Sequence, residues 1–185
     1  MDLTKGSALA KIVVGLGWDP VKQGGGLFGG SKPQIDCDAS VIMLDVAGKL
    51  ASKNNIVCYS NLKNRNDSVH HMGDNLTGDG DGDDEQIKLD LKNIPEEIAR
   101  LVFVVNIYDC KSRKQDFGMV KNAFIRVVNS GNNQEVIRYS LSDEYAGKTA
   151  LIVGEVYRHQ GEWKFSAIGE GTNDASISEI AVRYN

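Results

Sequence analysis

Every second residue from Ile35 to Met43 is apolar: Ile35, Cys37, Ala39, Val41 and Met43 share one face of an extended chain, and Asp36, Asp38 and Ser40 share the other. Gln34–Asp45 is therefore read as a strand with one buried face and two carboxylates side by side on the opposite one. Short β-prone segments recur at Lys11–Trp18, Asn55–Tyr59, Gln86–Leu91, Leu101–Tyr108, Ala123–Asn129, Gln134–Leu141 and Thr149–Tyr157. Leu101–Tyr108 is almost continuously apolar, as a central strand of a two-layer structure is. Ser130–Asn133 signals a hairpin turn, and Tyr157–Gly169 reads as a last hairpin turning at His159-Gln160-Gly161. Helix signals are few. Pro95–Arg100 has the makings of a turn or two. Ser176–Glu179 is a capping box, with Ile177, Ile180, Ala181 and Tyr184 on one face. About nine short strands with little helix predict an all-β fold, an antiparallel β-sandwich with a few short helices, one of them C-terminal. Residues 1–185 are expected to form a single domain, with no internal repeat or linker.

A chain with 41% hydrophobic and 25% charged residues can bury a core. No apolar run approaches the roughly 18 residues that span a bilayer. The first residues lack the basic start and apolar stretch of a secretory signal. Cys37, Cys58 and Cys110 are an odd, widely spaced set without a Cys-x-x-Cys pair, which suits small buried hydrophobes in a reducing compartment. The cytoplasm is the expected location.

The net charge of −4 is unevenly spread: Asp74, Asp79, Asp81, Asp83, Asp84 and Glu85 put six acids in twelve residues with no base among them. Outside that segment, bases slightly outnumber acids. One anionic patch on a near-neutral body argues against nucleic acid, which needs a basic face, and for a cation. Gly73–Glu85 also offers the amide of Asn75, the hydroxyl of Thr77 and the carbonyls of Gly78, Gly80 and Gly82. Calcium takes six to eight such hard oxygens, and glycines let a backbone turn successive oxygens toward one ion. The alternative is a solvated acidic loop, the usual fate of an acid run. Regular glycine spacing and the second carboxylate pair, Asp36 and Asp38, favour calcium.

Asp79-x-Asp81-x-Asp83 imitates the opening of an EF-hand loop, with Asp90 at its twelfth position. The sixth position holds Asp84 where that loop needs glycine, and Gln86–Leu91 alternates like a strand, so an EF-hand is rejected. A site at the sandwich edge is expected instead, with Asp36 and Asp38 donating from a neighbouring strand. Magnesium, which keeps its waters, fits less well. Zinc fits poorly, because His70 and His71 are adjacent and diverge in an extended chain. Arg113 and Arg126 read first as surface ion-pair partners, and second as contacts for a partner or anionic ligand.

Gly15-Leu-Gly-Trp18-Asp19, Asp36-Cys-Asp38-Ala39-Ser40, Ser68–Asn75 and Asp83-Asp84-Glu85 together resemble the TerD family. Arg113, Gln115, Phe117-Gly118 and Asn122–Arg126 extend the resemblance, which runs from about Leu9 to Gly169. It implies a calcium-binding β-sandwich in which two ions share the acidic loop and the Asp36/Asp38 strand. The ligand set so implied is Asp36, Cys37, Asp38, Asp74, Asn75, Asp79, Asp81, Asp83, Asp84 and Glu85. Cys37 stands where the family usually has an aliphatic residue, a departure that leaves the site intact if only its carbonyl is used. The resemblance also implies a bacterial stress role linked to resistance to tellurite and other toxic agents.

The function expected is a calcium-binding interaction module whose ion orders the acidic loop for a protein partner of unknown identity. Two alternatives compete with it. A metal-dependent hydrolase lacks a readable nucleophile–base pair, so no enzyme is expected. Calcium-dependent phospholipid binding would use Leu27 and Phe28 of the glycine-rich segment Val21–Ser31 as a wedge. Only Lys22 and Lys32 flank that segment, so membrane association is expected to be peripheral at most.

Overall fold

The computed structural model of the protein describes residues 10–19, 34–78, 82–142 and 145–185. The glycine-rich segment Val21–Ser31 lies outside them, as do Asp79 and Asp81. In chain order the strands are β1 (Lys11–Asp19), β2 (Cys37–Leu44), β3 (Ile56–Val57), β4 (Val69–His71) and β5 (Glu85–Asp90). They continue with β6 (Arg100–Ile107), β7 (Lys121–Asn129), β8 (Glu135–Ser140), β9 (Ala150–His159) and β10 (Glu162–Thr172). Two five-stranded sheets result, ordered β4-β5-β1-β7-β8 and β10-β9-β6-β2-β3, and the strand pairs are antiparallel. The architecture is the expected sandwich.

The alternation of β2 decides how the layers face. Cys37, Ala39, Val41 and Met43 enter the main core between the sheets, against Ile12, Val14 and Leu16 of β1 and Ile87 and Leu89 of β5. The opposite face of β2 carries Asp38 and Ser40, then Ile42 and Leu44, which join Val102, Val104 and Ile152 in a second apolar cluster. The C-terminal helix covers that cluster with Ile180 and Ala181. Its start is capped as expected, since Ser176 Oγ accepts the amide hydrogen of Glu179 at 3.2 Å.

The β9–β10 turn is tighter than expected. His159 pairs with Glu162, so Gln160 and Gly161 alone make the loop, with φ of 52° and 81°. Two successive left-handed residues define the hairpin turn whose twist matches its strands.

Three elements differ from expectation. Pro95–Arg100 is not a helix: Ile98 N–H reaches Pro95 O at 3.0 Å and the chain then enters β6. Arg158 explains why no further turn forms, because its guanidinium takes the carbonyls of Ile94 and Ile98 at 2.8 and 3.0 Å. The short strand β4 was not foreseen; three residues are too few to show a period. Nor was the one-turn helix Cys110–Arg113, which Asp109 and Lys114 bracket in left-handed conformations without a glycine to announce them. No helix among the described residues is long and apolar enough to cross a membrane.

Leu101, fully buried in β6, tests the core. Leu101→Ala should lower the unfolding free energy by about 2–5 kcal/mol in urea denaturation, from lost burial plus the cavity left behind. A loss within the error of the extrapolation would mean that the two layers are not packed on each other there.

Candidate cation site

Asp36 and Asp38 stand at the entrance of β2, on the outer face of its sheet, and Asp74 reaches them from the segment after β4. One oxygen from each of the three carboxylates lies within 4.8 Å of the others. Asp36 and Asp38 are 5% and 2% exposed, whereas Asp74 is open to solvent. Asn106, cross-strand neighbour of Asp38 on β6, donates its Nδ2–H to Asp38 Oδ2 at 3.1 Å. Tyr108 holds the backbone instead, its amide donating to Asp36 O at 2.9 Å. Asp36 Oδ1 is buried with no hydrogen-bond partner.

Such a cluster is electrostatically strained. Burial, then the charges of Asp74 and Glu85, push the Asp36 carboxyl up to about 6, against the opposing pull of Arg113. Asp38 is pushed further, to about 8, by burial first and by Asp36, Glu85 and Asp74 after it. An orphaned carboxylate oxygen among like charges is the environment a hard cation relieves, and oxygen-only donors suit calcium chemistry.

The remaining acids of the described segment are otherwise engaged. Glu85 is buried, and its Oε2 accepts the Ala39 amide at 2.6 Å while Nε2 of the fully buried His71 sits 3.4 Å away. Burial raises its pKa, against the contacts with His71 and the amides of Ala39 and Asn75. His71 Nδ1 accepts from the Gly73 amide at 3.2 Å, so a neutral ring carries its hydrogen on Nε2, toward Glu85. Asp84 accepts the Trp18 amide at 2.8 Å and the Asn75 side-chain amide at 3.0 Å. Asn75 Oδ1 in turn accepts from the amides of Thr77 and Gly78, both at 3.1 Å.

Asp83 crosses to the outer face of the other sheet. There its carboxylate lies over Gly15, where a Cβ would stand 2.2 Å from it, and it takes Arg126 Nε at 2.6 Å and Gln86 Nε2 at 3.0 Å. Arg126 thus has the ion-pair role first read for it, reaching Glu135 as well at 3.3 Å. Cys37 buries its thiol in the core, and burial pushes that thiol's pKa well up, so a thiolate ligand is disfavoured there. Cys58 and Cys110 are likewise buried and free, as expected.

Of the ten residues named from sequence, the structure brings Asp36, Asp38 and Asp74 together. Glu85 and Asp84 lie behind them as fasteners, and Asp83 faces away. Sequence reasoning missed Asn106, although a polar residue breaking the apolar run of β6 was a readable signal. It also missed Tyr59 and Tyr108, which line the same cavity as the three aspartates.

A β-sandwich with a carboxylate cluster at one strand entrance defines the class of protein, and comparison with known sequences gives the family. The TerD domain matches residues 1–184, and the chain belongs to the TerD family. It is 59% identical to the stress response protein SCP2 of Bacillus subtilis (strain 168), covering 100% of this chain and 94% of that protein. Identity to the tellurium resistance protein TerD of Serratia marcescens is 44%, covering 96% and 88%. Among solved structures, SAV2460, a protein of unknown function, superimposes with a TM-score of 0.78 at 24% identity, over 94% of this chain and 95% of that one. That last likeness concerns the fold.

The raised carboxyls set a pH dependence. From the ordinary value of 3.8 up to about 8, the folded chain holds protons on Asp36 and Asp38 that the unfolded chain has released. Stability therefore falls as pH rises through that window. In chelator, the melting temperature should drop between pH about 5 and about 8, and Asp38→Asn should flatten the drop. A wild-type profile that is flat or rising across the window would show that these carboxyls are solvated.

Proposed function

We propose that the protein is a calcium-binding stress-response module of the TerD family, acting in the cytoplasm, in which the ion orders the acidic segment for a protein partner. One observation carries the reading: two buried aspartates and one exposed aspartate converge, and a buried oxygen of Asp36 has no other partner. Asp36, Asp38 and Asp74 would hold one ion, the bound cation supplying charge that offsets their repulsion. A second ion would draw on Asp79 and Asp81 and on the neighbouring carboxylates of the same segment. Asp74 is the exposed member and belongs to that segment, so ion binding and segment order are coupled through it. The reading is of a binding module, not an enzyme: the three thiols are buried, and among the described residues the His71–Glu85 contact is sealed in the interior while the His70–Asp67 contact lies at the surface outside the aspartate cavity. Tellurium resistance, the activity in the names of its relatives, would follow from partner binding.

Calcium should raise the melting temperature, and magnesium at equal concentration far less; a hundredfold excess over Kd is worth about 2.7 kcal/mol. Asp36→Asn and Asp38→Asn should abolish the calcium shift, while Asp83→Asn should lower stability through Arg126 and leave most of the shift. Identical melting curves in calcium and chelator would overturn the proposal. Affinity capture in calcium, compared with chelator, should recover a partner only in the former.

A further inference from the structure

A cavity of about 430 Å³ opens over the three aspartates, and its other walls are Gln34, Tyr59, Leu76, Tyr108 and Arg113. That size lies in the range that holds small molecules, roughly 300–1,000 Å³. Its lining is of two kinds. Tyr59, Tyr108 and Leu76 are 38%, 42% and 60% exposed, large apolar groups left uncovered around one opening. The tyrosine rings meet edge to face with centroids 6.1 Å apart, which holds both in place. The Arg113 guanidinium stacks over Tyr108, 5.2 Å from the ring centre. Among the described residues, the carboxylate within ion-pair range of Arg113 is Asp109, at a long 3.7 Å. Its hydrogen-bond donors are therefore weakly used, although they stand beside an acidic cluster.

The coordination arithmetic of the aspartates points the same way. Three carboxylates offer at most six oxygens, and Asp38 Oδ2 is already committed to Asn106. Calcium takes six to eight, so these side chains alone do not fill its shell, and the cavity side is open to an oxygen from a ligand. A divalent cation and Arg113 together match the three carboxylates charge for charge. With the cation bound, the cavity no longer repels an anion. A flat cationic group on an aromatic wall, next to an incompletely coordinated ion, is a recognition site for an oxyanion that can take two parallel N–H bonds.

We propose that the calcium-loaded cavity binds a small ligand carrying a phosphate or carboxylate group on an apolar ring. The oxyanion sits between the ion and Arg113, and the ring lies against Tyr59, Tyr108 and Leu76. This inference rests on the calcium reading above. Asp36, Asp38 and Asp74 hold the cation, whereas Arg113, Tyr59 and Tyr108 select the ligand. Asn106 acts through Asp38 as a positioning residue.

The test uses the full chain and phenyl phosphate as the probe, with methyl phosphate as the same charge without the ring. Calcium binding is first measured by calorimetry, then the tyrosine ring signals are followed by NMR as each probe is added. Phenyl phosphate should shift Tyr59 and Tyr108 in calcium and not in chelator, and methyl phosphate should bind more weakly. Arg113→Lys, at a partly exposed position, should weaken phenyl phosphate by about tenfold with calcium affinity unchanged, because an ammonium lacks the bidentate fork. Tyr108→Leu should erase the advantage of phenyl over methyl phosphate.

Absence of calcium binding would overturn the calcium reading and this inference together. Calcium binding with unmoved tyrosines, or Arg113→Lys binding the probe like wild type, would overturn this inference alone. So would a glutamate-rich peptide that moves the tyrosines where phenyl phosphate does not, since the cavity would then be a protein-docking point.

Discussion

The carboxylate of Glu85 joins the two sheets, and the placement of every other acid in the described segment depends on that joint. Glu85 begins β5 in one sheet, and its Oε2 accepts the amide hydrogen of Ala39 in β2 of the other, at 2.6 Å. The amide is available because β6 pairs with one edge of β2 at Ala39, whereas β3 covers the other edge only at Val41 and Ile42, which leaves that second edge without a strand at Ala39. A buried amide must find a partner, and a charged acceptor makes the stronger bond. The cost appears on the acid, whose pKa burial drives upward until the contacts with His71, Ala39 and Asn75 pull it back. With Glu85 fixed there, Asp84 lies against β1, where it meets Leu16 and Trp18.

From this joint follows a division of labour among chemically identical groups. Asp84 staples the segment to β1 through the Trp18 amide, and Leu16 O accepts the Asp84 amide at 2.8 Å in return. Asp83 leaves for the opposite face of the sheet and its pairing with Arg126. Three acids in a row thus point three ways. Asp36 and Asp38 are left facing Asp74 with no base bonded to them, and the pull of Arg113 on Asp36 and the Asn106 hydrogen bond to Asp38 offset their burial and mutual repulsion only in part. Fastening and binding are therefore largely separate jobs: Asp83, Asp84 and Glu85 accept hydrogen bonds, whereas Asp36 keeps a buried oxygen without a partner.

What could be read beforehand follows the same line. The alternation of β2 announced both of its faces, and the carboxylate pair on the outer one, because a period of two is a property of sequence alone. The capping box at Ser176 was legible for the same reason, and so was the last hairpin turn, read as His159-Gln160-Gly161 and one residue tighter in the structure, each being set by neighbours in the chain. The density of acids after Gly73 was equally plain. Their directions were not, because the extended register starts only at Glu85 and the residues before it are aimed by partners distant in sequence. Arg126 is 43 positions from Asp83, and Trp18 is 66 from Asp84. No spacing rule encodes such a pairing, so six acids looked alike when three of them were already spoken for.

The position of the cluster along β2 has its own physical reason. The outer face of this strand runs from Asp36 and Asp38 through Ser40 to Ile42 and Leu44. At the apolar end the C-terminal helix closes over the sheet with Ile180 and Ala181. A helix laid over the acidic end would strip water from carboxyls already pushed up to about 6 and about 8, and would add nothing to pair with them. The inner face offers no escape, since Cys37 and Ala39 are committed to the main core. The acids therefore sit at the entrance of β2, at the floor of the cavity that Asp74, Tyr59 and Tyr108 also line, with Asp38 held by Asn106 from the neighbouring strand. That combination of a fixed donor set and an open side is what a site needs to take a cation from solvent and still present a free flank to something else.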